Sequence, residues 1–322
     1  LTQLERNEEA NCDLERFVDG GRDCADTHQK KAHLLLLLNN HDEALESIER
    51  ALDLDPSNAD AYHTHARLLA KLEKWDEAAD SYGKAISLDS GKAVYYANRG
   101  GTYVELGKFQ EALDDCNKGL KLFERSSDIL MNKAIALDQL DREQEALECF
   151  DEALDLHPEH HLAHFNKSLL NLRIGRLAEG FEGYEHRWKT DSFIRHEKTY
   201  PYPVWDGKES LKNKIIFVHG EQGFGDSIQF CRYLDKLVSV SNRVILGVPP
   251  EMVGLMSSLK IDCDVVSKGT PVKKIDYRLP LMSLPYIFKT SLETIPSANP
   301  YLYVEEDNRN KWQGIINDTK KT

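Results

Sequence analysis

Apolar and polar positions recur with a fixed beat through the first half of the chain. The segments "DEALESIERALDLDP", "DEAADSYGKAISLDS", "QEALDDCNKGLKLFE" and "QEALECFDEALDLHP" align on Ala44, Ala78, Ala112 and Ala146, each 34 residues after the last. Ile48, Tyr82, Cys116 and Phe150 follow four residues later, and Ala51, Ala85, Gly119 and Ala153 three after those, which is one stripe at helical period. A small residue at the head of each stripe lets two helices approach closely. The partner helix carries the matching sets Tyr62, Ala66, Leu69, then Tyr96, Gly100, Tyr103, then Leu130, Ala134, Leu137. Pro56 and Pro158 stop a helix where a unit ends, while Ser90 and Glu124 hold the same place without changing the period. One further step of 34 reaches Gly180 in "AEGFEGYEHRW", a degenerate fifth unit over residues 161–189. The pattern predicts an all-α, right-handed solenoid of helix pairs over residues 25–189, four full and one degenerate, behind a helical cap at 1–24.

From "KTYPYPVWDGKESLKNK" the beat stops, and Pro201, Pro203 and Gly207 break helix, so a linker is expected over residues 190–212. The pattern then alternates: "KIIFVHG" as strand, "DSIQFCRYLDKLVSV" as helix, "RVILGVP" as strand, "PEMVGLMSSL" as helix and "CDVVSK" as strand. That alternation predicts a small α/β (Rossmann-like) domain with a parallel sheet over residues 213–322.

Composition narrows the function. The chain has 322 residues, 41% hydrophobic and 30% charged, and no apolar run near the ~18 residues of a membrane span. "LLLLL" at Leu34 to Leu38 is far too short. The first residues are acidic and lack the apolar core of a secretory signal. Six cysteines without metal-ligand spacing read as reduced thiols, so a cytoplasmic setting is expected. Residues 1–199 hold 25 Lys and Arg against 40 Asp and Glu, and residues 200–322 hold 16 against 14. Neither half offers the basic field that nucleic acid requires, and a basic or neutral protein partner suits the acidic half.

Three groups of residues are candidates for chemistry. The sixth position of each first helix reads Lys30, Thr64, Asn98, Asn132, Asn166. The amides of Asn98, Asn132 and Asn166 offer donor and acceptor to the backbone of an extended peptide on the concave face; alternatively, Asn is simply common at this repeat position. His157, His160, His161 and His164 look like a metal cluster, but no acidic or Cys partner stands at ligand spacing, so a solvated turn is expected and no metal. "HGEQGFGDSIQF" packs Gly220, Gly223 and Gly225 after the first predicted strand, where α/β sheets bind ligands. Its glycine order is neither the dinucleotide fingerprint nor a phosphate loop, and Asp226 and Ser227 have a structural use as helix N-caps.

The 34-residue units resemble the tetratricopeptide repeat. A similar asparagine ladder serves substrate peptides in the repeat domain of the O-linked N-acetylglucosamine transferases. "EQGFGDSIQFCRYL", with "VWDG" before it and "DYRLPLMSLPYIFKTSLETIPSANPYL" after it, resembles the amino-terminal lobe of bacterial tetratricopeptide-repeat glycosyltransferases related to the lipopolysaccharide heptosyltransferases. "GFEGYEHRW" is similar to the last repeat before that lobe, and the resemblance covers about residues 25–312. It implies a B-type fold whose first lobe faces the acceptor, a protein or a glycan, while a second lobe holds a nucleotide-sugar. Gly225 and Asp226 match the Gly-Asp of that family's loop, so the resemblance implies Asp226 as catalytic base. It likewise implies that Glu221, Gln222 and Gly223 shape the acceptor side and that Ser283, Leu284 and Pro285 shape a loop at the cleft, with Arg232 and Tyr233 in structural roles. The chain begins without Met and stops at Thr322, where that family begins its second lobe. It is therefore expected to be part of a longer protein, to bind no cofactor alone and to be inactive alone. Two readings stand: the acceptor portion of a sugar transferase, or a scaffold that binds an extended peptide.

Overall fold

The computed structural model describes residues 23–190, 200–221, 223–297, 300–304, 309–310 and 312–313. Nearly all of the expected cap, residues 191–199 and Gln222 lie outside the described residues. The chain divides into two compact units, Leu1–Ala163 and His164–Thr322.

Four helix pairs build the first unit: α1 (Ala25–Leu37) with α2 (His41–Leu54), α3 (Ala59–Lys71) with α4 (Trp75–Leu88), α5 (Ala93–Glu105) with α6 (Phe109–Leu122), and α7 (Ser127–Gln139) with α8 (Glu143–Leu156). The first helix of every pair has 13 residues and the second 14. Side chains start some of them: Asn58 accepts from the Ala61 N–H at 2.9 Å, and Ser126 from Ile129 N–H at 3.4 Å. One backbone device ends every first helix. Asn39, Glu73, Gly107 and Asp141 have φ of 59°, 59°, 70° and 57°, and the next residue donates back to the carbonyl five positions earlier, as in Asn40 to Leu35 (2.9 Å) and Lys108 to Tyr103 (2.8 Å). This left-handed close reverses the chain within a few residues and so permits the short period.

The predicted stripe is the core. Ala44, Ile48, Ala51, Ala78, Ala85, Ala112, Cys116, Ala146 and Ala153 are fully buried. Gly100 is small for a reason, since a Cβ there would lie 3.1 Å from the Cys116 sulfur. Successive first helices pack on one another, with no comparable packing between successive second helices, so α1, α3, α5 and α7 line the inner side of the stack.

In the second unit, four parallel strands run in the order β3-β2-β1-β4: β1 (Ile215–His219), β2 (Arg243–Val248), β3 (Cys263–Ser267) and β4 (Tyr277–Pro280). Ile216, Val218, Val244, Leu246 and Leu279 form its core with Phe230, Leu234, Leu237 and Met256 from the crossover helices. Those helices are α11 (Phe224–Phe230), α12 (Leu234–Val240) and α13 (Pro250–Met256); α14 (Leu284–Ile287) follows β4. Gly247 of β2 leaves space for the Phe217 ring, which a Cβ would meet at 2.6 Å.

Two boundaries differ from the sequence reading. Trp205 and Leu211, inside the expected linker, are buried in this core, and Trp205 donates its backbone N–H to Arg278 O and its indole N–H to Glu209 O, both at 2.9 Å. The degenerate fifth pair, α9 (His161–Arg173, beginning just before the division) and α10 (Leu177–Tyr184), belongs largely to this unit, because Phe181 packs on the same core, edge-on to Phe230 at 6.4 Å. Helix α11 also begins two residues before Asp226. Gly223 occupies its N-cap without a side-chain bond, so Asp226 and Ser227 are not the cap.

Candidate functional site

The inner face of the first unit carries two of the three expected asparagines. Asn98 donates through Nδ2 to His63 Nε2 at 2.8 Å, and Asn132 through Nδ2 to Ala97 O at 3.4 Å. Each amide thus reaches back to the preceding first helix. The Asn132 amide lies 3.1 Å from where a Cβ of Gly101 would sit, so that glycine makes room for it. Burial, reinforced by the Arg67 charge, lowers His63 to a pKa of about 4, which keeps its Nε2 an acceptor. Asn166 lies half-buried on α9, in the other unit.

Asp26 pairs with Lys30 and Asp60 with Lys92, each at 2.7 Å, and Asp128 bonds His160 at 2.9 Å. Asp60 also accepts from the Tyr95 hydroxyl, whose pKa burial and that bond raise to about 12. Arg67 and Lys71, one helical turn apart on α3, make no ion pair with any described residue. Between the helices of a pair, His65 meets Ser81 at 2.7 Å and Arg99 holds Asp115 at 2.6 and 2.9 Å, contacts that the sequence reading did not single out.

In the second unit, the glycine-rich loop leaves the carboxyl end of β1, as expected. Glu221, however, is an internal ion-pair partner rather than an open cleft residue. Arg187 donates to its carboxylate at 2.9 and 3.0 Å, and the Met282 N–H adds a third bond at 3.2 Å. Fully buried, Arg187 also donates to Glu185 at 2.7 Å, Tyr184 O at 3.0 Å and Ser283 Oγ at 2.9 Å, with the Tyr184 and Trp188 rings each 4.4 Å away. The Ser283 hydroxyl in turn donates a hydrogen bond to Glu185 Oε2 at 3.0 Å. Burial opposes the Arg187 charge, but Glu221 and Glu185 outweigh it and hold its pKa above the ordinary value. Sequence reasoning missed Arg187, although "GFEGYEHRW" contains it.

The rest of the loop is more open. Gly220 is confined by Ser227 Oγ, 3.2 Å from a would-be Cβ, whereas at the exposed Gly223 and Gly225 a Cβ would meet nothing within 4 Å. Asp226 sits half-exposed in the first turn of α11 with no hydrogen bond or ion pair to a described residue. Gln222 lies outside the described residues. His219, the last residue of β1, was also missed: it is buried against Tyr200 at 4.7 Å, its Nε2 has no hydrogen-bond partner among the described residues, and burial drives its pKa down to about 3.

The candidate histidine cluster does not converge. His157 and His160 rings lie 5.4 Å apart, His160 bonds Asp128, and His164 stacks on His186 at 4.0 Å. Among the described residues no group of His, Cys, Asp or Glu is placed to hold a metal ion, and no helix is long and apolar enough to cross a membrane. Buried thiols such as Cys116, raised to about 12 by burial, are free cysteines.

The family model "Tetratricopeptide repeat" matches residues 63–129 and 131–189, and "Anaphase-promoting complex, cyclosome, subunit 3" matches residues 6–85. Protein FlbA of Caulobacter vibrioides is 31% identical over 74 residues, 23% of this chain and only 12% of FlbA. The solved APC/C hetero-tetramer Cut9-Hcn1 is similar in fold, with TM-score 0.54 and 17% identity over 61% of this chain and 41% of that one. YrrB, described as a TPR protein with an unusual peptide-binding site, has 21% identity and TM-score 0.44 over 58% of this chain and 98% of its own. The helix pairs form an all-α, tetratricopeptide-like solenoid, matched by that family's model over residues 63–129 and 131–189, and a small parallel α/β domain follows them in sequence.

Proposed function

We propose that the solenoid binds an extended segment of a partner protein along the inner face formed by α1, α3, α5 and α7. The observation that carries this reading is the pair of amides at Asn98 and Asn132, fixed by His63 and Ala97 O on successive inner helices. A fixed amide meets a peptide backbone with less entropy to lose than a rotating one. Arg67 and Lys71 add local positive charge to a half that is acidic in sum. The acidic exterior favours a basic or neutral partner through attraction that salt weakens. A cytoplasmic setting, supported by the scattered thiols, is part of this reading. The test is a titration with peptides selected by display against the protein, followed through the side-chain amide resonances of Asn98 and Asn132. Both resonances shift on binding; peptides that bind without moving either one contradict it.

A second reading rests on Asp226, half-exposed and without an ion pair to any described residue, beside the open Gly223 and Gly225 at the carboxyl end of β1. Under it, the domain is the acceptor lobe of a sugar transferase acting on a protein or glycan. Asp226 then takes the acceptor hydroxyl's proton as that oxygen attacks the anomeric carbon and the nucleotide diphosphate leaves. Glu221 and Ser283 serve it only by holding the loop through Arg187. In a version that also carries the donor-binding lobe, Asp226→Asn abolishes transfer with folding intact under this reading, and full transfer by that variant removes Asp226 from the chemistry.

A further inference from the structure

Three cations of the second unit are held by neutral groups rather than by carboxylates. Arg232 follows α11 almost directly, Lys236 lies one turn further on in α12, and Lys260 stands shortly before β3. Every nitrogen of the half-buried Arg232 donates to a neutral oxygen: Nε to Gln229 O at 2.9 Å, Nη1 to Pro296 O at 3.4 Å and Nη2 to the Tyr301 hydroxyl at 2.9 Å. Lys236 donates to Thr294 O at 3.0 Å, and Lys260 Nζ lies 3.9 Å from the centre of the Tyr303 ring. None of the three makes an ion pair with a described residue. By contrast, Arg187, Lys214 and Arg243 of the same unit each hold a carboxylate.

All three line one cleft of about 410 Å³, an ordinary size for a small-molecule site. Asp235 is the one carboxylate among its described lining residues, exposed and itself without an ion pair to any of them. Three cations against one carboxylate leave an excess of two positive charges, in a chain whose net charge is -13. A cleft lined by one sign of charge concentrates its field on whatever enters, and here the field favours an anion. Leu259, Ile261 and the rings of Tyr301 and Tyr303 add apolar wall. The place is distinct from the glycine-rich loop: Lys260 and Ile261 precede β3, at the amino end of parallel strands, whereas the loop leaves the carboxyl end of β1.

We propose that this cleft binds a phosphate monoester carried on a flat apolar body, of which an aryl phosphate is the simplest case. The N–H groups that Arg232 and Lys236 have not already used, and the ammonium of Lys260, donate to the phosphate oxygens. Leu259, Ile261 and the tyrosine rings cover the body. A phosphate monoester brings close to two negative charges and three acceptor oxygens, which matches both the excess charge and the number of donor side chains; a carboxylate brings one charge and two oxygens.

Calorimetric titration of the intact protein with phenyl phosphate, methyl phenyl phosphate and inorganic phosphate tests this. Phenyl phosphate is expected to bind tightest and to weaken as salt is raised. Its methyl ester, with one charge fewer, is expected to bind about tenfold more weakly, and inorganic phosphate, without the ring, to bind more weakly as well. Arg232→Gln lowers the affinity for phenyl phosphate about tenfold or more. If that variant does not fold, Lys260→Gln at its exposed position serves instead, with a loss of about threefold. No binding of phenyl phosphate, equal affinity for the methyl ester, equal affinity for inorganic phosphate (an adventitious ion only), or unchanged affinity in the folded variant overturns the proposal.

Discussion

Arg99 and Arg187 are both guanidiniums set against buried carboxylates, yet they hold different things together. Arg99 joins the helices of one pair through Asp115, 16 residues away, and the neighbouring pair does the same job with His65 and Ser81. Arg187 gathers Glu185, Glu221 and Ser283, which stand 2, 34 and 96 residues from it. A repeat offers each link several times over, so one link can change its chemistry. The α/β domain has a single centre in which the end of the last repeat, the β1 loop and the segment after β4 all meet.

The largest effect expected from this contrast is Arg187→Met. It strips Glu221, whose side chain is 3% exposed, of its main cation, so the second unit loses about 3–5 kcal/mol. Calorimetry should show that loss in one transition while the solenoid transition stays in place.

Next comes pH. His219 has a folded pKa of about 3 against an ordinary 6.5, because burial disfavours its charge. The folded state therefore binds fewer protons than the unfolded one, and the stability is full above pH 6.5 and lost as pH falls toward 3. The loss amounts to about 1.4 kcal/mol per pH unit from this group. His63, lowered to about 4, does the same for the solenoid over the narrower window of 6.5 to 4. His219→Phe should flatten the acid limb of the second unit alone in chemical denaturation at stepped pH.

The repeat side of the comparison is sharpened by transplanting one link. Arg99→His with Asp115→Ser, copying His65 and Ser81, should cost about 1 kcal/mol or less, whereas Arg99→Met alone leaves Asp115 with Lys118 at 3.8 Å and should cost about 2–3 kcal/mol. Urea midpoints of the three proteins decide it. The smallest effect is Glu73→Gly. Glu73 takes φ of 59° where another pair uses Gly107, so glycine should gain up to about 1 kcal/mol at this turn.

The solenoid was legible because each pair repeats the same small and large positions, so Ala44, Ala78, Ala112 and Ala146 vote together. The left-handed turn that sets the period was not, since Asn39, Glu73, Gly107 and Asp141 share a conformation rather than a residue type. The strand and glycine loop were legible from "KIIFVHG" and the glycines that follow. Glu221's role was hidden, because its partner stands 34 residues away in a segment read as the last repeat. Trp205 and Leu211 escaped notice as core residues because the prolines and glycine around them read as linker. For the asparagines, the sequence showed the row but neither the bonds back to His63 and Ala97 nor the division that puts Asn166 in the other unit.

Peptide binding by the inner face is tested most directly by fluorescence anisotropy, comparing a display-selected peptide on the protein and on the Asn98→Ala, Asn132→Ala double variant. The prediction is a Kd raised by about tenfold or more, with melting temperatures confirming that the solenoid still folds. An unchanged Kd in the folded double variant would contradict it.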